Sequence, residues 1–500
     1  MTKTTPTPEP AGDAAVGLAG FFAKFTVLRG AMRELWLTFL IKILVIAAYG
    51  VTNLTLVLWF TSGLGFGDEK ALALVSAWSL TMSVFTVLVG SLTDALGLRL
   101  TFFWGVGISI AARAVMVLST AKWLALAGGL FPLAIGEALT GPVLVAAVRH
   151  YANTKQRSIS FSIIYMMMNV GFLLSHFIFD WVREHFGESG HWSLPALGLK
   201  LTTYQVLFLV SLGFQCIIWP LLYLLREGTQ ATDKGVEITP REHRHVDKNL
   251  FTAFRLTVKD TVKDTSRLFA GLLRQNGFYR LLAFLILVSF LKLIYRQMDY
   301  VYPKYGIRML GTGAPIGHVL ALNDIFVILL LPIIGALTQR FSAYAMVIVG
   351  GAIAAASVFF LALPTAWFVP AANSFFGQWF GHRYLGLSGN INPIYIMSAI
   401  FFVMYSFGEA FYSPRVYEYA AAIAPKGQEA SYSALSYIPF LLAKMLTGFS
   451  GILLVTYCPE TGVRRPEIMW LIIGLTACIA PVGLLVLGRV IRLREAGRDD

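Results

Sequence analysis

Charged residues are scarce in this sequence. Asp, Glu, Lys and Arg make up 13% of the 500 residues, whereas a soluble globular chain carries roughly 25%. Hydrophobic residues make up 57%, and the mean hydropathy is +0.68. Apolar runs long enough to cross about 30 Å of hydrocarbon recur along nearly the whole chain. The composition excludes an ordinary soluble domain and predicts a polytopic α-helical membrane protein.

Cysteine is rarer still. Cys216, Cys458 and Cys478 lie in or beside apolar segments, so they predict neither a disulfide framework nor a metal site. The sequence shows no His-Glu-x-x-His helix, no Gly-x-Ser-x-Gly turn and no phosphate-binding loop. His176 and His318 stand isolated near span ends. We therefore expect no enzymatic activity, no cofactor and no ATP-driven pumping.

Apolar windows of about 19 residues predict twelve membrane spans. Six lie in the first half of the chain, at residues 35–60, 72–94, 99–119, 123–149, 160–181 and 204–226. Six lie in the second half, at 280–302, 316–338, 343–363, 394–422, 432–456 and 468–492. We expect an all-α fold of two pseudo-symmetric six-helix bundles at 35–226 and 280–492, with an N-terminal segment at 1–34, a linker at 227–279 and a tail at 493–500.

Two connections between the spans are long. Residues 250–273 place apolar side chains close to one helical face with lysine and arginine among them. This pattern predicts either a basic amphipathic helix at the membrane surface or a solvated linker helix. Residues 364–393 are rich in Gly, Phe and Asn, and we expect an external loop there.

Acidic residues are fewer than basic ones, 27 against 40, and the net charge is +13. Such a balance can indicate a nucleic-acid partner, but no basic-aromatic binding cassette is present. Most Lys and Arg residues instead fall on one side of the predicted spans. The positive-inside rule then places both termini and the linker in the cytoplasm. We expect a monomer in the plasma (inner) membrane, in contact with the lipid bilayer and with no nucleic-acid partner.

The two halves repeat in three places, in the same order. The pairs are Gly90–Asp94 with Gly335–Gln339, Gly136–Pro142 with Gly408–Pro414, and Ser160–Ser162 with Ser431–Ser433. The second pair shares the frame Gly-Glu-Ala followed, after three further residues, by Pro. Such a repeat within a membrane chain predicts a transporter of two halves.

The first of these segments resembles a loop motif of the major facilitator superfamily. Gly90 and Gly97 would allow close packing and a turn, while Asp94 and Arg99 would form a charge network at a gate. The resemblance implies twelve helices in two bundles that enclose a chamber.

Within that superfamily the chain looks most like the proton-coupled oligopeptide transporters. The matching residues are the span-five segment Phe161–Gly171, which contains Tyr165 and Asn169, the segment from Gly408 and Glu409 to Lys426, and the single residues Gln297 and Asn323. The resemblance implies a peptide-like small-molecule substrate and protons as partners. It also implies that Glu409 faces the chamber and holds a substrate amine.

The chain departs from that family where the family binds a peptide carboxylate. Span one keeps Tyr49 and Gly50, but apolar residues replace the usual charged positions, and Gly141 stands where the family has a lysine. Arg296 occupies a position that is often acidic. A plain dipeptide or tripeptide substrate is therefore in doubt.

Each ionisable group inside a span is costly to bury and needs a reason. Glu409 lies near Pro414, which we expect to interrupt its span, and it either binds substrate and protons or pairs with a lysine of a neighbouring span. Lys42 either binds an anion or neutralises a nearby carboxylate. Lys444 is expected to pair with Glu409 or Asp324.

Further candidates complete the predicted site. Asp324 is a candidate proton carrier, and Glu137, the repeat partner of Glu409, is another, although Arg113 could neutralise it. The predicted substrate-binding residues are Lys42, Tyr49, Tyr165, Asn169, Gln297, Asn323, Glu409 and Lys444. The leading hypothesis is proton-coupled transport of a small polar organic solute by alternating access. The alternatives are a lipid, amphiphile or drug exporter, and a sensor without transport.

Overall fold

The computed structural model describes residues 28–493, with several gaps. The gaps are residues 189, 195–197, 227, 233–234, 339–340 and 424–437, and residues 239–273 except for four single positions. The predicted amphipathic helix at 250–273 therefore lies almost entirely outside the described residues.

Six long helices form the first bundle. They are α1 (Arg33–Leu58), α2 (Asp68–Leu96), α3 (Leu98–Leu118), α4 (Phe131–Tyr151), α5 (Thr154–Phe186) and α6 (Thr203–Tyr223). A π-helical turn, Trp59–Gly63, extends α1, and the helical segments Lys122–Leu124 and Ala125–Leu130 lead into α4. The starts of α5 and α6 are fixed by capping boxes at Asn153 and Thr202, whose side chains accept the otherwise unpaired backbone N–H groups.

Six more long helices form the second bundle. They are α7 (Asn276–Tyr300), α8 (Ile316–Leu337), α9 (Ala343–Val358), α10 (Pro393–Ala422), α11 (Ile438–Tyr457) and α12 (Pro466–Val486). The short helix Tyr302–Leu310 connects α7 to α8, and Phe359–Ala362 extends α9 as a 3-10 turn. Pro414 lies inside α10 without breaking it, so the expected interruption of this span was wrong.

Eleven helices in the described part of the chain are long and apolar enough to cross a membrane. The remaining predicted span, 72–94, corresponds to α2, which has 29 residues. The predicted all-α architecture of two six-helix bundles is confirmed. For orientation, the distal end of the molecule is the end that carries residues 59–67, 187–202 and 301–315, and the terminal end carries Arg33 and Val486.

Small elements that the sequence did not predict decorate both ends. At the distal end, β1 (His191–Leu194) pairs antiparallel with β2 (Leu199–Thr202). At the terminal end, β3 (Thr229–Thr232) pairs with β4 (Gly235–Ile238) within the predicted linker. The predicted loop at 364–393 contains four short helical segments, Thr365–Phe368, Val369–Ala372, Phe375–Trp379 and Phe380–Tyr384.

The repeated Gly-Glu-Ala frame marks the same helix crossing in each bundle. A Cβ atom on Gly136 in α4 would lie 2.9 Å from the Gly105 carbonyl oxygen of α3. A Cβ atom on Gly408 in α10 would lie 2.7 Å from the Gly350 carbonyl oxygen of α9. Glycine therefore lets the two helices of each pair approach closely, and this contact fixes where the glutamate that follows is presented.

Candidate functional site

Glu409 is buried on α10, with 7% of the residue exposed. The side-chain amide of Asn323 on α8 donates to Glu409 Oε2 at 3.2 Å and to the Ser406 hydroxyl at 3.0 Å. The ammonium of Lys292 on α7 lies near enough to attract this carboxylate electrostatically. Among the described residues, however, the two do not form an ion pair. Glu409 is thus held by a neutral amide, and a negative charge remains without a bonded cation.

Lys292 is held beside Glu409 by a neutral hydroxyl and two aromatic rings. Its ammonium donates to the Ser413 hydroxyl at 2.9 Å. The ring centroids of Tyr412 and Phe440 lie 4.8 Å and 4.6 Å from Lys292 Nζ. Cation–π contacts of this kind stabilise a partly desolvated ammonium.

Arg296 and Asp299 form the second charged pair of α7. Arg296 Nη1 lies 3.4 Å from Asp299 Oδ2, so these two residues, three apart on one helix, pair directly. Arg296 also acts on Tyr49 of α1, whose ring stacks on that of Trp78 with centroids 5.9 Å apart. The arginine of the second bundle thus lies near a predicted substrate-binding tyrosine of the first bundle.

Two other predicted site residues form hydrogen bonds between α11 and its neighbours. Lys444 on α11 donates to the Ser83 hydroxyl of α2 at 3.1 Å, so its predicted pairing with Glu409 or Asp324 was wrong. The physical reason is that α11 packs against α2, and Lys444 lies on that contact face. The side-chain amide of Gln297 donates to Ser450 of α11 at 2.5 Å, which ties α7 to α11.

Asp324 lies next to Asn323 in sequence, but the two side chains point to different bundles. Asp324 Oδ2 lies 2.6 Å from His176 Nδ1 on α5, whereas Asn323 faces α10. Successive residues of a helix lie about 100° apart, so one helix can serve both directions. The expectation that His176 is isolated was wrong.

Glu137 is neutralised within the first bundle, as expected. Its Oε1 lies 2.5 Å from Arg113 Nη2, and both side chains are almost fully buried. Arg113 Nε also donates to the Ser211 hydroxyl of α6 at 2.6 Å. Glu137 and Glu409 are therefore equivalent in the repeat, but only Glu137 has a bonded cation.

The remaining predicted substrate-binding residues lie on α1 and α5. Tyr165 of α5 lies beside Ser413 of α10, and Asn169 donates to the Tyr165 carbonyl oxygen at 3.0 Å. Lys42 lies seven residues before Tyr49, and hence on the same face of α1. Lys42 is partly exposed, and none of the described residues pairs with it.

The predicted gating motif spans the α2–α3 connection. Gly97 has φ = 82° and makes the turn between the two helices. The Arg99 guanidinium lies 5.7 Å and 5.3 Å from the ring centroids of Phe103 and Tyr223. Gly90 and Asp94 belong to α2. The contacts of these two residues lie outside the described part of the structure.

A network at the distal end joins the two bundles, and sequence reasoning missed it. Asp180 of α5 accepts the backbone N–H groups of Gly317 and His318 at 2.8 Å and 2.7 Å, and His318 Nδ1 lies 2.7 Å from the same carboxylate. Arg183 lies 3.2 Å from Asp180 and donates to the Ala314 carbonyl oxygen at 3.1 Å. A carboxylate of the first bundle thus caps a helix of the second.

Two further contacts close the same end. Asp68 of α2 lies 3.2 Å from Lys304 and also pairs with Arg308. The Tyr300 hydroxyl of α7 donates to Asn53 of α1 at 2.5 Å. The spacing of Asp180 and Arg183, three residues apart at the end of a predicted span, was the only sequence signal for this network.

Comparison with known proteins shows which family this architecture belongs to. A family model described as the Major Facilitator Superfamily matches residues 38–389. No curated protein sequence matches the chain. Solved structures match along most of the chain, so the comparison extends to both bundles.

Three of these structures illustrate the likeness. One is the peptide transporter POT in complex with sulfate, with 16% identity over 92% of this chain and 95% of that chain and a TM-score of 0.64. A bacterial homologue of the human drug peptide transporters PepT1 and PepT2 has 18% identity over 92% and 98%, with a TM-score of 0.64. A POT family transporter in complex with 5-aminolevulinic acid has 17% identity over 92% and 97%, with a TM-score of 0.66. The resemblance to this family is confirmed at the level of the fold.

Proposed function

The chain belongs to the Major Facilitator Superfamily, a family of transporters, and from that membership we propose that it moves a small polar organic solute by alternating access, coupled to protons. The protein is an integral membrane transporter and not an enzyme. The positive-inside rule supports a cytoplasmic terminal end and an external distal end. We propose the inner membrane and a monomer.

The observation that carries this proposal is the environment of Glu409. A buried carboxylate in a membrane bundle is costly unless it is paired, yet its bonded partner is the neutral amide of Asn323. Lys292 lies nearby and is itself bonded to a hydroxyl. Such an acid gains from taking up a proton or from binding the amine of a substrate.

The contacts between the bundles support alternating access. In the described part of the chain, their hydrogen bonds and ion pairs lie at the middle and at the distal end, as at Ser83, Asp68 and Asp180. This is the arrangement of a conformation with its distal end closed. Opening that end requires these contacts to break, which rocking of one bundle against the other would do.

Asp324 is the second candidate for a proton carrier because it links the bundles. Its bond to His176 holds α5 against α8. Protonation of the carboxylate would remove the negative charge from this contact and favour separation of the two helices. Protonation of Glu409 and of Asp324 would thus act on the solute site and on the distal closure, respectively.

The test is uptake into proteoliposomes with and without an inward proton gradient. The probes are labelled dialanine and labelled 5-aminolevulinic acid, a ligand of one structural neighbour. We expect accumulation of at least one probe with the gradient, and we expect Glu409→Gln to abolish it. Glu467→Gln, which changes an exposed carboxylate at the distal end, is the matched control and should leave accumulation intact.

Equal uptake under both conditions would eliminate proton coupling. Normal accumulation by Glu409→Gln would remove this residue from the mechanism. Failure to take up either probe, together with extrusion of labelled amphiphiles, would favour an exporter instead.

A further inference from the structure

Four cationic side chains lie within membrane-spanning helices of the two bundles. They are Lys42 on α1, Lys292 and Arg296 on α7, and Lys444 on α11. Arg296 pairs with Asp299. None of the three lysines forms an ion pair with a carboxylate among the described residues.

Two of these lysines are almost fully buried. Lys292 is 3% exposed and Lys444 is 7% exposed, and each ammonium donates to a serine hydroxyl. A buried ammonium with only neutral partners is costly in hydrocarbon. In membrane proteins such residues face an internal cavity and mark the path of a substrate.

Three of these cations lie close together. Arg296 lies near enough to interact electrostatically with both Lys292 and Lys444. It also interacts with Tyr49 of the opposite bundle. Lys42 lies on the same face of α1 as Tyr49, two turns closer to the terminal end. A solute beside α7 and α11 would therefore meet the charges of Lys292, Arg296 and Lys444, with Lys42 lying further towards the terminal end.

Negative charge in this region is smaller. Asp299 is occupied by Arg296, and Glu409 is the described carboxylate that lies near Lys292. Asp324 is turned towards His176 of α5. Lys292, Arg296 and Lys444 against Asp299 and Glu409 leave an excess of one positive charge among these described residues, and neither buried lysine has a bonded carboxylate.

We propose that the transported solute is a small organic acid with a net negative charge, whose acidic group binds Lys292 and Lys444. This inference rests on the proposed transport function and names its substrate class. The solute supplies the counter-charge that the protein lacks. Protonation of Glu409 would increase the positive excess, so a proton and an anion would enter as a pair that cancels in charge.

The experiment measures binding to the purified full chain in detergent by isothermal titration. Three probes of similar size differ in net charge: alanyl-glutamate at −1, dialanine at zero and alanyl-lysine at +1. We expect alanyl-glutamate to bind at least about tenfold more tightly than dialanine, which corresponds to about 1.4 kcal/mol. Alanyl-lysine should bind most weakly.

Charge variants link this preference to the lysines. Lys444→Gln and Lys292→Gln should each reduce the preference for alanyl-glutamate about tenfold, whereas Lys444→Arg should retain it because the charge stays. Lys200→Gln, at an exposed position on β2, is the matched control. A single symmetric peak in size-exclusion chromatography shows which variants have folded.

Several outcomes would overturn the inference. Equal binding of the three probes, tightest binding of alanyl-lysine, or binding of none of them would each contradict it. An unchanged preference in folded Lys444→Gln and Lys292→Gln would also contradict it, because the lysine charges would then not contribute to the preference. The assay needs no membrane, so it separates this inference from the proposed function. Anion binding without any flux would contradict transport alone, and gradient-driven uptake of dialanine without a preference for the anion would contradict the substrate class alone.

Discussion

Two glutamates at equivalent positions of the repeat have diverged in their partners. Glu137 forms a buried ion pair with Arg113, whereas Glu409 accepts a hydrogen bond from Asn323. The first carboxylate is neutralised inside its own bundle. The second remains available to a ligand or a proton. Repeat symmetry therefore predicts where both acids lie, but only their neighbours decide which one is free to act.

This difference predicts that the same substitution lowers the stability much more at one position than at the other. Glu137→Gln would leave Arg113 buried without its counter-charge, and breaking a buried pair in this way costs about 3–5 kcal/mol. Glu409→Gln removes a charge that has no bonded cation, so we expect little loss of stability. Thermal unfolding followed by tryptophan fluorescence should show a clear fall in Tm for Glu137→Gln alone.

A double variant tests the reason for that fall. Glu137→Leu combined with Arg113→Met removes both charges and should recover most of the lost stability. It should also retain gradient-driven uptake, because Glu137 is occupied by its ion pair. An equal loss of Tm in Glu137→Gln and Glu409→Gln would contradict this division of roles.

At the residue scale, the sequence revealed some partners and concealed others. The pairing of Glu137 with Arg113 was predictable because both are charges within neighbouring apolar spans. The bond between His176 and Asp324 was not, since it joins residues 148 apart in sequence and depends on the packing of α5 against α8. The partner of Lys444 was missed for a similar reason: a serine on α2 carries no signal in an apolar span.

At the scale of elements, the glycines of the repeated frame decide how closely helices cross. A Cβ atom on Gly408 would lie 2.6 Å from the backbone nitrogen of Ala354 and 2.7 Å from the Gly350 carbonyl oxygen. Both atoms belong to the backbone of α9, which cannot move aside as a flexible side chain could. Glu409 follows directly, so a displaced α10 would also displace the candidate site.

Gly408→Ala is therefore expected to destabilise the protein by about 1–3 kcal/mol, as overpacking of a core does, and to weaken solute binding. Gly335→Ala on α8 is the matched control because nothing lies within 4 Å of its Cβ position. That variant should be neutral or stabilising by up to about 1 kcal/mol, since alanine favours helix more than glycine. Tm values measured side by side would decide, and equal shifts would contradict the crossing argument.

The long helices were predictable because each must present about twenty apolar residues to the membrane. The hairpins β1–β2 and β3–β4 were not, because strands of four residues lie within polar connections and give no periodic signal. The helical turns within 364–393 were missed because each has only four or five residues. Pro414 led to the opposite error, since an interruption was expected and α10 is continuous. A helix packed on its neighbours tolerates one lost hydrogen bond.

At the scale of the whole molecule, a small region of the distal end joins α5 of the first bundle to α8 of the second. Asp180 binds the first N–H groups of α8, pairs with Arg183 and contacts His318. Gly317 makes this approach possible, since a Cβ atom there would lie 2.1 Å from the His176 carbonyl oxygen. The contact between α5 and α8 at the distal end thus depends on one carboxylate and one residue without a side chain, while Asp68 and Tyr300 make separate contacts that close the same end.

Two substitutions should open this end by different routes. Asp180→Asn weakens charge-assisted hydrogen bonds, which contribute about 1.5–3 kcal/mol each, and Gly317→Ala introduces a steric clash between α5 and α8. Nitroxide labels on cysteines at positions 184 and 312, which are exposed on the two bundles at the distal end, report the separation by double electron–electron resonance. Both variants should raise the population of the longer distance at least about tenfold, the effect of about 1.4 kcal/mol. Lys200→Gln, at the same end, should leave the distribution unchanged, and an unaltered distribution in both test variants would show that this network does not hold the bundles closed.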